Sequence, residues 1–559
     1  MLMKKIMFFF TAAVLLLTAG QVSAQNILVT GTISDASNGE PVPYASIQVK
    51  GTMTGASADA DGNYEVTVSP QGTLIFSFVG YETKEIKVDG RLHINCELKV
   101  DATALDDVIV VAYGTVSREA NTGAVSTLKS EGLAESPATS VDKMLSGKMA
   151  GVQITSGSGQ PGSTSTIRIR GTSSINAGSE PLWVIDGIPV APGDFRQFSN
   201  AGVGGGSSTT FLNPNDIESI TILKDAAAAS VYGSRAANGV ILVTTKTGKK
   251  GASKFTARAK YGVQQLINDR NIHPLTGSEL IDYRRTAAIN AGFNPDDPSS
   301  QYYFTEKLLS NGTTDWYKEL TRQGSVQEYE VNASGGTEKA SYYSSIAYHK
   351  NTGVFYGVDY SRFTARVNAD MQLTRTLKSG VRVNFSYGDS NSGQMGDLYY
   401  SNPTVAMWTI NPWTPFRNDD GSYNTSIPES SNTNPRAVAE YDTYNDKEYR
   451  AQANLYLEWK PIPQLTLKTT DGFEADILDS KQYWDPRSNK GASTLFKIWS
   501  KDLRYTTSNT ITYADKYAGA HDLRITVGQE AMLDTYDYLY GYSPDVDPMM
   551  PYPNTSTAE

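Results

Sequence analysis

Apolar and polar residues alternate along much of this chain, most regularly in its second half. Between residues 361 and 373 the apolar positions are Phe363, Ala365, Val367, Ala369, Met371 and Leu373, and the polar positions between them are Arg362, Thr364, Arg366, Asn368, Asp370 and Gln372. The segment 255–263 repeats this pattern. Since successive side chains of a β-strand point to opposite faces, the pattern predicts strands with one apolar face and one polar face.

Nine such strands are predicted after residue 251. They cover residues 255–264, 326–334, 340–350, 361–373, 381–389, 449–460, 465–475, 503–514 and 523–531. The connections 335–339, 374–380, 461–464 and 515–522 are short, whereas 265–325, 390–448 and 476–502 are long and 351–360 is intermediate. Alternation of short and long connections is typical of a membrane β-barrel, with turns on one rim and loops on the other. A soluble β-sandwich is the alternative that the alternating residues leave open.

The number of predicted strands raises a difficulty. A closed single-chain bacterial barrel has an even number of strands, and an open sheet edge in lipid leaves backbone groups without hydrogen bonds. We therefore expect the antiparallel transmembrane β-barrel over residues 251–559 to be incomplete: a fragment, a truncated reading frame or half of an assembly. By itself such a chain should neither insert stably nor transport.

The first 24 residues predict export. Lys4 and Lys5 precede an apolar run over residues 6–17, and Val22 and Ala24 occupy the small-residue positions of a signal-peptide cleavage site. No later stretch approaches the ~18 apolar residues of a membrane-spanning helix. If the mature chain lies in a membrane, it must therefore do so as a β-barrel.

Composition excludes several classes of function. The 559 residues carry a formal net charge of -10 and no basic block, which argues against nucleic-acid binding. Cys96 is the only cysteine and the four histidines are far apart, so no disulfide framework, metal centre or cofactor is expected. The HExxH, P-loop and G-x-S-x-G motifs are missing. We therefore expect a protein that is not an enzyme.

Residues 25–100 predict a small antiparallel β-sandwich. The alternating segments are "YASIQVKG", "NYEVTV", "TLIFSF" and "LHINCEL", and turn signals such as Asp61-Gly62 separate them. Cys96 shares a phase with Leu92, Ile94 and Leu98, which predicts a buried, unreactive thiol.

Residues 101–115, "DATALDDVIVVAYGT", contain an unbroken β-branched run that has no evident partner strand. Two interpretations remain open from the pattern alone. The run is either one more strand of the sandwich or an extended segment that a second protein captures by β-augmentation.

Residues 116–250 mix helix and strand. Val141, Met144 and Leu145 have helical spacing, with Gly151 as the expected stop. Asp186-Gly187 lies between two apolar arms and predicts a hairpin.

The stretch "LKDAAAASVYGSRAANGVILVTTKTG" predicts a short helix, a turn and a strand within this segment. Asp225 is expected to cap a short helix over residues 226–232, and Gly233 to end it. Asn238-Gly239 predicts a turn before a strand over residues 240–245. Because alanine side chains are small, such a helix lies close to neighbouring elements, as a domain confined inside a larger shell requires. An ordinary alanine-rich core helix is the alternative.

These segments resemble known families. The first module, with "GTISDASNGEPVPYASIQVKGT", is similar to the carboxypeptidase-regulatory-like domain, and "LDDVIVVAYGT" resembles the TonB box of TonB-dependent transporters. "LSGKMAGVQI", "GSTSTIRIRGTSS", "PLWVIDGIPV" and "NPNDIESITILKDAAAASVYGSRAANGVILVTTKTG" resemble the plug domain of the SusC-like branch of those transporters. The resemblance implies a plug inside a barrel of about 22 strands, of which roughly nine are predicted here.

The resemblance also implies which residues serve which role. The residues implied to bind TonB are Asp106, Asp107, Val108, Ile109, Val110 and Val111. Those of the plug motif are Arg168, Arg170, Gly171, Asp186, Gly187, Lys224, Asp225, Tyr232, Gly233, Arg235, Asn238 and Gly239. Substrate-binding residues are not identified; the loop aromatics Trp408, Trp413, Tyr399 and Tyr400 either contact sugar or pack their loops.

The function implied by the resemblance is energy-coupled import of a nutrient across the outer membrane of a Gram-negative cell. The implied partners are TonB with ExbB and ExbD, a SusD-like surface lipoprotein, outer-membrane lipid and an oligosaccharide or peptide, with the plug and first module facing the periplasm. Two alternatives are a siderophore-type receptor of the same superfamily and a secreted β-rich binding protein without transport.

Overall fold

The structure is a computed structural model, and the ranges that it describes are not continuous. They are residues 26–36, 39–52, 54–78, 81–99, 108–111, 114–117, 124–130, 140–156, 158–163, 165–172, 178–190, 211–225, 229–267, 274–304, 310–393, 402–430, 432–489, 491, 493–517 and 521–552. The predicted signal peptide, Asp106, Asp107, the alanines 226–228, Tyr399 and Tyr400 lie outside the described residues. The chain divides into two compact units: the first comprises residues 1–109 and 115–121, and the second comprises residues 110–114 and 122–559.

The first unit is the predicted β-sandwich. Its strands are β1 (Ile27–Asp35), β2 (Ser46–Val49), β3 (Gly55–Ser57), β4 (Asn63–Val68), β5 (Thr73–Ser77), β6 (Lys84–Lys87) and β7 (Cys96–Leu98). They form one sheet in the order β4-β1-β7 and another in the order β3-β2-β5-β6. All pairs are antiparallel except β1 and β7, which run parallel and so depart from the predicted all-antiparallel arrangement.

Alternate side chains of these strands form one apolar core. Cys96 is fully buried there with Ile94 and Leu98, as predicted, and burial raises the pKa of its thiol to about 11. Leu92 was expected on the same face, but it is exposed because the chain is not in a regular strand at that point. Gly62 has φ 77° in the turn predicted at Asp61-Gly62.

Two further strands follow the sandwich. Strands β8 (Val108–Val111) and β9 (Gly114–Ser117) form a separate two-stranded sheet. The β-branched run is therefore a strand, and it pairs locally with β9 instead of joining the sandwich.

The second unit begins with a small mixed domain, which we call the plug segment. Its elements are β10 (Val125–Lys129), α1 (Val141–Met144), β11 (Val152–Ser156), β12 (Ser165–Ile169), β13 (Leu182–Ile185), β14 (Ile188–Pro189), β15 (Ile217–Leu223) and β16 (Val240–Thr245), with 3-10 helices at Pro214–Asp216 and Ser230–Ala236. One sheet has the order β10-β15-β16-β13-β14, and β11 pairs with β12. An apolar core with Leu212, Ile217 and Ile241 at its centre holds the domain together.

Local predictions in the plug segment are partly correct. The hairpin at Asp186-Gly187 is confirmed, since β13 and β14 pair antiparallel across it, and β16 has the predicted bounds. Helix α1 ends at Met144, well before Gly151, which instead precedes β11 with φ 74°. Gly233 does not end a helix; it has φ 68° inside a kink between two short 3-10 turns, where a left-handed backbone favours glycine.

The rest of the second unit is a nine-stranded antiparallel sheet, which we call the wall. Its strands are β17 (Gly251–Gln264), β18 (Gly324–Gly336), β19 (Ala340–Thr352), β20 (Asp359–Gln372), β21 (Leu377–Asn391), β22 (Thr443–Ile462), β23 (Leu465–Trp484), β24 (Thr494–Tyr517) and β25 (His521–Pro544). They are neighbours in chain order. All nine predicted strands are confirmed, but β23, β24 and β25 are much longer than predicted. Only residues 485–493 therefore connect β23 with β24, instead of 476–502.

The two faces of the wall differ as the alternation predicts. On β20 the residues Phe363, Val367 and Met371 are exposed, whereas Arg366 and Asn368 are buried against the plug segment. The plug segment thus covers the polar face, and the apolar face is the outer one.

Helices fill the long connections at one end of the wall, which we call the loop end. They are α2 (Gly277–Asn290), α3 (Trp316–Leu320), α4 (Pro403–Thr409), α5 (Pro435–Tyr441) and α6 (Pro486–Asn489). An apolar cluster that includes Trp316, Leu320 and Ala406 packs α3 against α4. Among the described residues, the structure has no helix with the length and apolar character needed to cross a bilayer.

Asp442, between α5 and β22, generates a prediction about pH. Its Oδ1 accepts a hydrogen bond from the Asp485 backbone N–H at 2.9 Å, its Oδ2 is buried without a hydrogen bond, and burial raises its pKa to about 7. Folding therefore favours the protonated carboxyl, and this contribution to stability is lost as the pH rises from about 4 to about 7.

We expect Asp442→Asn, which keeps the Oδ1 acceptor, to stabilise the loop end at pH 7.5 by on the order of 1–3 kcal/mol. The effect should vanish at pH 4. Hydrogen exchange of α5 and α6 at the two pH values measures it, and equal stabilisation at both would contradict the assignment.

Candidate functional site

The candidate functional site is the surface where the plug segment meets the wall. Many buried polar residues of the wall point to this surface. They include Glu330, Ser345, Thr364, Arg366, Asn368, Asn384, Arg450, Asn454, Glu474 and Asp476. Buried polar and charged groups need partners, and the plug segment supplies them to Arg366, Asn368 and Asn454.

Arg366 of β20 is the first anchor between plug segment and wall. Its side chain is 1% exposed, and its Nη1 lies 3.7 Å from Asp186 Oδ2 while its Nε lies 3.5 Å from Asp216 Oδ2. Tyr343 of β19 donates its hydroxyl to Asp216 Oδ1 at 2.8 Å. One wall arginine therefore neutralises two carboxylates of the plug segment.

Asp186 is held in place by the turn that the sequence predicts. It has φ 49° and Gly187 has φ 89°, the left-handed pair that a two-residue hairpin turn requires. Its carboxylate accepts hydrogen bonds from Thr245 N at 2.9 Å and Thr245 Oγ1 at 2.8 Å. Its carbonyl accepts one from Asn454 of the wall at 2.9 Å. The turn thus connects β16 with two wall strands.

Asn368 fixes the point at which the chain leaves the plug segment. Its Nδ2 donates to Thr245 Oγ1 at 2.8 Å and to the Lys246 carbonyl at 2.7 Å. Since β17 begins at Gly251, this side chain anchors the connection between the two parts.

Arg450 of β22 is the second anchor. It is almost fully buried, donates to Glu474 Oε1 from Nε at 3.1 Å and from Nη2 at 2.8 Å, and lies 3.5 Å from Asp476. Its guanidinium also stacks on the Phe211 ring of the plug segment, 4.3 Å from the centroid. The plug segment therefore contacts this charged group through an aromatic face, a favourable cation–π arrangement.

Within the plug segment, Lys224 and Asp225 tie strand β10 to the remainder. Lys224 Nζ donates to Ser126 Oγ at 2.6 Å and to the Ala150 carbonyl. The Asp225 carboxylate accepts from the Ala124 backbone N–H and pairs with Arg170, and these contacts hold its pKa below the usual range. The Asp225 side chain thus bonds to the residues next to β10 and β12, and the helix that it was predicted to cap begins at residues 226–228, outside the described residues.

The other predicted motif residues lie in the same domain. Arg168 pairs with Glu180 at 3.8 Å, and Asn238 donates to the Gly178 and Glu180 carbonyls at 2.9 and 3.2 Å. Tyr232 is buried in an apolar cluster, and Gly171 and Gly239 have φ 100° and 90°. Arg235 reaches the wall, where it pairs with Glu530. Most of the motif therefore shapes the domain, and Asp186 and Arg235 contact the wall.

A close backbone approach completes the interface. A Cβ on Gly472 of β23 would lie 2.8–2.9 Å from three side-chain atoms of Ile188, which follows the Asp186-Gly187 turn. Glycine at this wall position therefore makes room for the hairpin of the plug segment.

The sequence alone did not identify the wall residues that take part in the site. Arg366 was placed on the polar face, but neither it nor Asp216, Tyr343, Asn368 or Arg450 was assigned a contact. An arginine at one of the polar positions of a strand predicts a buried carboxylate partner. The alternation of apolar and polar residues does not identify that carboxylate. Within the described residues, His, Cys, Asp and Glu form no group of three or more suited to hold a metal ion.

Comparison with known proteins identifies two domains. Residues 29–110 match the CarboxypepD_reg-like domain, and residues 117–240 match the TonB-dependent Receptor Plug Domain. The chain thus carries the plug domain of TonB-dependent receptors behind a regulatory-like sandwich.

Individual relatives define the class of protein more closely. TonB-dependent receptor P26 of Formosa agariphila is 36% identical over 81% of this chain and 43% of its own length. TonB-dependent receptor SusC of Bacteroides thetaiotaomicron is 33% identical over 94% of this chain and 53% of its own length. The chain spans about half the length of these curated relatives. The resemblance to SusC-like TonB-dependent receptors is therefore confirmed.

Solved structures show the same fold. The RagAB peptide importer in its open-open state matches with a TM-score of 0.70 at 24% identity, over 81% of this chain and 52% of that chain. The unliganded ferric citrate transporter FecA matches with a TM-score of 0.50 at 12% identity, over 76% of this chain and 49% of that chain. The plug segment and the wall therefore share the fold of these two structures.

The Arg366 anchor can be tested in the complete protein. We expect Arg366→Met to leave Asp186 and Asp216 buried without their cation and to destabilise the plug segment by about 3–5 kcal/mol. Hydrogen exchange of β13, β15 and β16 measures the change. The control is Lys250→Met, because the Lys250–Glu338 pair is exposed and should contribute less than about 1 kcal/mol. Equal effects of the two variants would refute the anchor.

Gly472 provides an independent steric test. Gly472→Ala should displace Ile188 and destabilise the β13–β14 hairpin by about 1–3 kcal/mol. Gly262→Ala is the matched control, since a Cβ on that wall glycine meets nothing within 4 Å. Hydrogen exchange of the hairpin amides should change only in the first variant; unchanged exchange there would contradict the close contact.

Proposed function

We propose that the complete protein imports a nutrient across the outer membrane of a Gram-negative cell, with energy supplied through TonB. The observation that carries this proposal is the plug domain held against the polar face of a wall whose other face is apolar. An apolar outer face suits lipid and a polar inner face suits a wet lumen. The relatives reported above are receptors and importers rather than enzymes, which supports a function without bond chemistry.

Energy coupling is assigned to residues 106–111. Asp106, Asp107 and the run Val108–Val111 form the proposed TonB-binding segment, of which Val108–Val111 is strand β8. An extended strand is the form in which β-augmentation captures a peptide. TonB, driven by the proton gradient through ExbB and ExbD, would add this strand to its own sheet and pull. The plug motif residues from Arg168 to Gly239 would hold the domain that this force rearranges.

The proposed nutrient is an oligosaccharide, delivered with a SusD-like surface lipoprotein. The resemblance of the plug motifs to the SusC-like branch implies this choice, whereas the RagAB structures are of a peptide importer. The first module and the plug would face the periplasm, and the loop end would face the outside.

A siderophore receptor is the second candidate. The Ferrienterobactin receptor of Escherichia coli is 36% identical, but over only 26% of this chain. SusC matches 94% of the chain, which favours the nutrient importer. Growth on a candidate glycan, compared with growth under iron limitation, separates the two functions.

Proline substitution in β8 tests the coupling segment. Val108→Pro combined with Val110→Pro removes two backbone donors from the strand, so uptake should fall to background while surface binding of the nutrient persists. Uptake of labelled nutrient by cells and binding by purified protein are the two measurements.

The control is Val108→Thr with Val110→Thr, which keeps both β-branched shapes and both backbone N–H groups. This variant should import at close to the normal rate. Normal uptake by the double proline variant would disprove the assignment of the segment.

A further inference from the structure

Strand β22 shows where the apolar band on the outer face of the wall begins and ends. Trp459 and Tyr449 point outwards near the two ends of the band, and the four outward positions between them hold only leucine or alanine. Aromatic residues at both ends of an apolar row are typical of the two interfaces of a bilayer. Trp459 lies opposite Leu467 of β23 and Tyr449 lies opposite Ile477. The same band therefore covers residues 467–477 of β23.

Four polar residues interrupt this band on β23 and β24. Gly472 faces the plug segment, so its neighbour Asp471 points outwards, and so does Thr469 two positions away. On β24, Asn509 lies opposite Thr469, and Thr507 lies opposite Asp471. We call these four outward residues the outer polar patch. Both strands have a neighbour on each side in the wall, so the patch does not lie at a sheet edge.

The outer polar patch lies near the middle of the band. Asp471 is four residues from Leu467 and six from Ile477, the two ends of the band on β23. Its outward neighbours are apolar: Leu455 lies opposite on β22, and Phe473 follows on β23. A carboxyl or amide side chain at the centre of a bilayer costs free energy unless another polar group covers it. Lipid alone therefore does not suit this part of the outer face.

Hydrogen bonds within the wall satisfy only part of the patch. Asp471 Oδ1 accepts a hydrogen bond from the Tyr505 hydroxyl at 2.8 Å, and Asn509 Nδ2 donates to Gln529 Oε1 of β25 at 3.0 Å. Within the described residues, Asp471 Oδ2 and Asn509 Oδ1 make no hydrogen bond. An amide carries two N–H donors, and each carboxylate oxygen can accept more than one hydrogen bond. The patch thus retains a donor on Asn509 and acceptors on Asp471.

We propose that the outer polar patch is the contact surface for a second copy of this chain in the membrane. The patch is self-complementary, because in a two-fold arrangement Asp471 of each copy accepts a hydrogen bond from Asn509 of the other copy. Hydrogen bonds between polar side chains hold membrane-spanning segments together in this way, since they remove polar groups from lipid. This inference rests on the membrane location in the proposed function and adds a partner within the membrane.

The oligomeric state of the complete purified protein tests the proposal. Light scattering in detergent micelles and lipid nanodiscs should show a dimer. Asp471→Leu combined with Asn509→Leu should raise the dissociation constant of that dimer at least about tenfold. Leucine suits lipid better than the polar groups that it replaces, so this variant should fold and insert at least as well as the unsubstituted protein. Loss of the dimer would then report the contact and not misfolding.

Ser344→Leu is the matched control. Ser344 of β19 lies opposite Val367 of β20, which is exposed on the outer face. The substitution therefore makes the outer face more apolar at a distance from the patch, and it should leave the dimer unchanged. Equal weakening by Ser344→Leu would attribute the effect to general apolarity and overturn the proposal. A monomeric unsubstituted protein, or a dimer that the double leucine variant leaves intact, would also overturn it.

Crosslinking in intact outer membranes identifies the partner. Thr507→Cys places a thiol in the patch, whereas the native Cys96 is buried and should react little. A short bis-maleimide should then link two copies of this chain, and it should not do so in the Ser344→Cys variant. A link from residue 507 to a different protein would mean that another partner covers the patch, which would overturn the assignment to a second copy.

The outcome for the patch is separable from that for import. If the β8 proline variant loses uptake while the double leucine variant remains a dimer, the patch assignment is wrong and the proposed import function stands. If the proline variant imports normally while the double leucine variant becomes monomeric, the patch is the contact surface and the coupling assignment fails.

Discussion

Burial of charge inside the wall is the constraint on which the second unit depends. Arg366 and Arg450 are removed from water, and each would cost several kcal/mol without partners. Their carboxylate partners come from both parts of the chain: Asp186 and Asp216 belong to the plug segment, and Glu474 belongs to the wall. The two parts are therefore complementary in charge, and neither polar surface is satisfied without the other.

This polar interface has a physical character that an apolar one lacks. The plug segment is stabilised internally by an apolar core around Leu212, Ile217 and Ile241, whereas it meets the wall mainly through hydrogen bonds and ion pairs. Water can replace a hydrogen bond at little net cost, but it cannot replace apolar packing. We therefore expect the domain to separate from the wall more readily than it loses its own core, a property that suits the proposed import function.

The sequence predicted periodic features well and pairings poorly. All nine wall strands, the inner and outer faces, and the turn at Asp186-Gly187 follow from short-range patterns, because alternation and left-handed turn residues act locally. The ends of β23, β24 and β25 were missed because these strands continue beyond the part in which apolar and polar residues alternate regularly. The partner of Arg366 and the role of Asp225 depend on contacts between residues far apart in sequence, which no local pattern encodes. The resemblance to a known family predicted the plug domain. The charged contacts between the plug segment and the wall are visible only in the three-dimensional structure.

The strand order of the plug sheet has a consequence for biogenesis. Strand β10 is the first of the sheet in sequence, yet it pairs with β15, and the contact between Ser126 and Lys224 joins residues 98 positions apart. Such long-range pairing makes folding slow, since a large loop must close first. The sheet cannot be completed until Thr245 has been synthesised, and the first wall strand begins only a few residues later. During that interval β10 has no partner in its sheet, and an unpaired strand edge exposes the chain to aggregation.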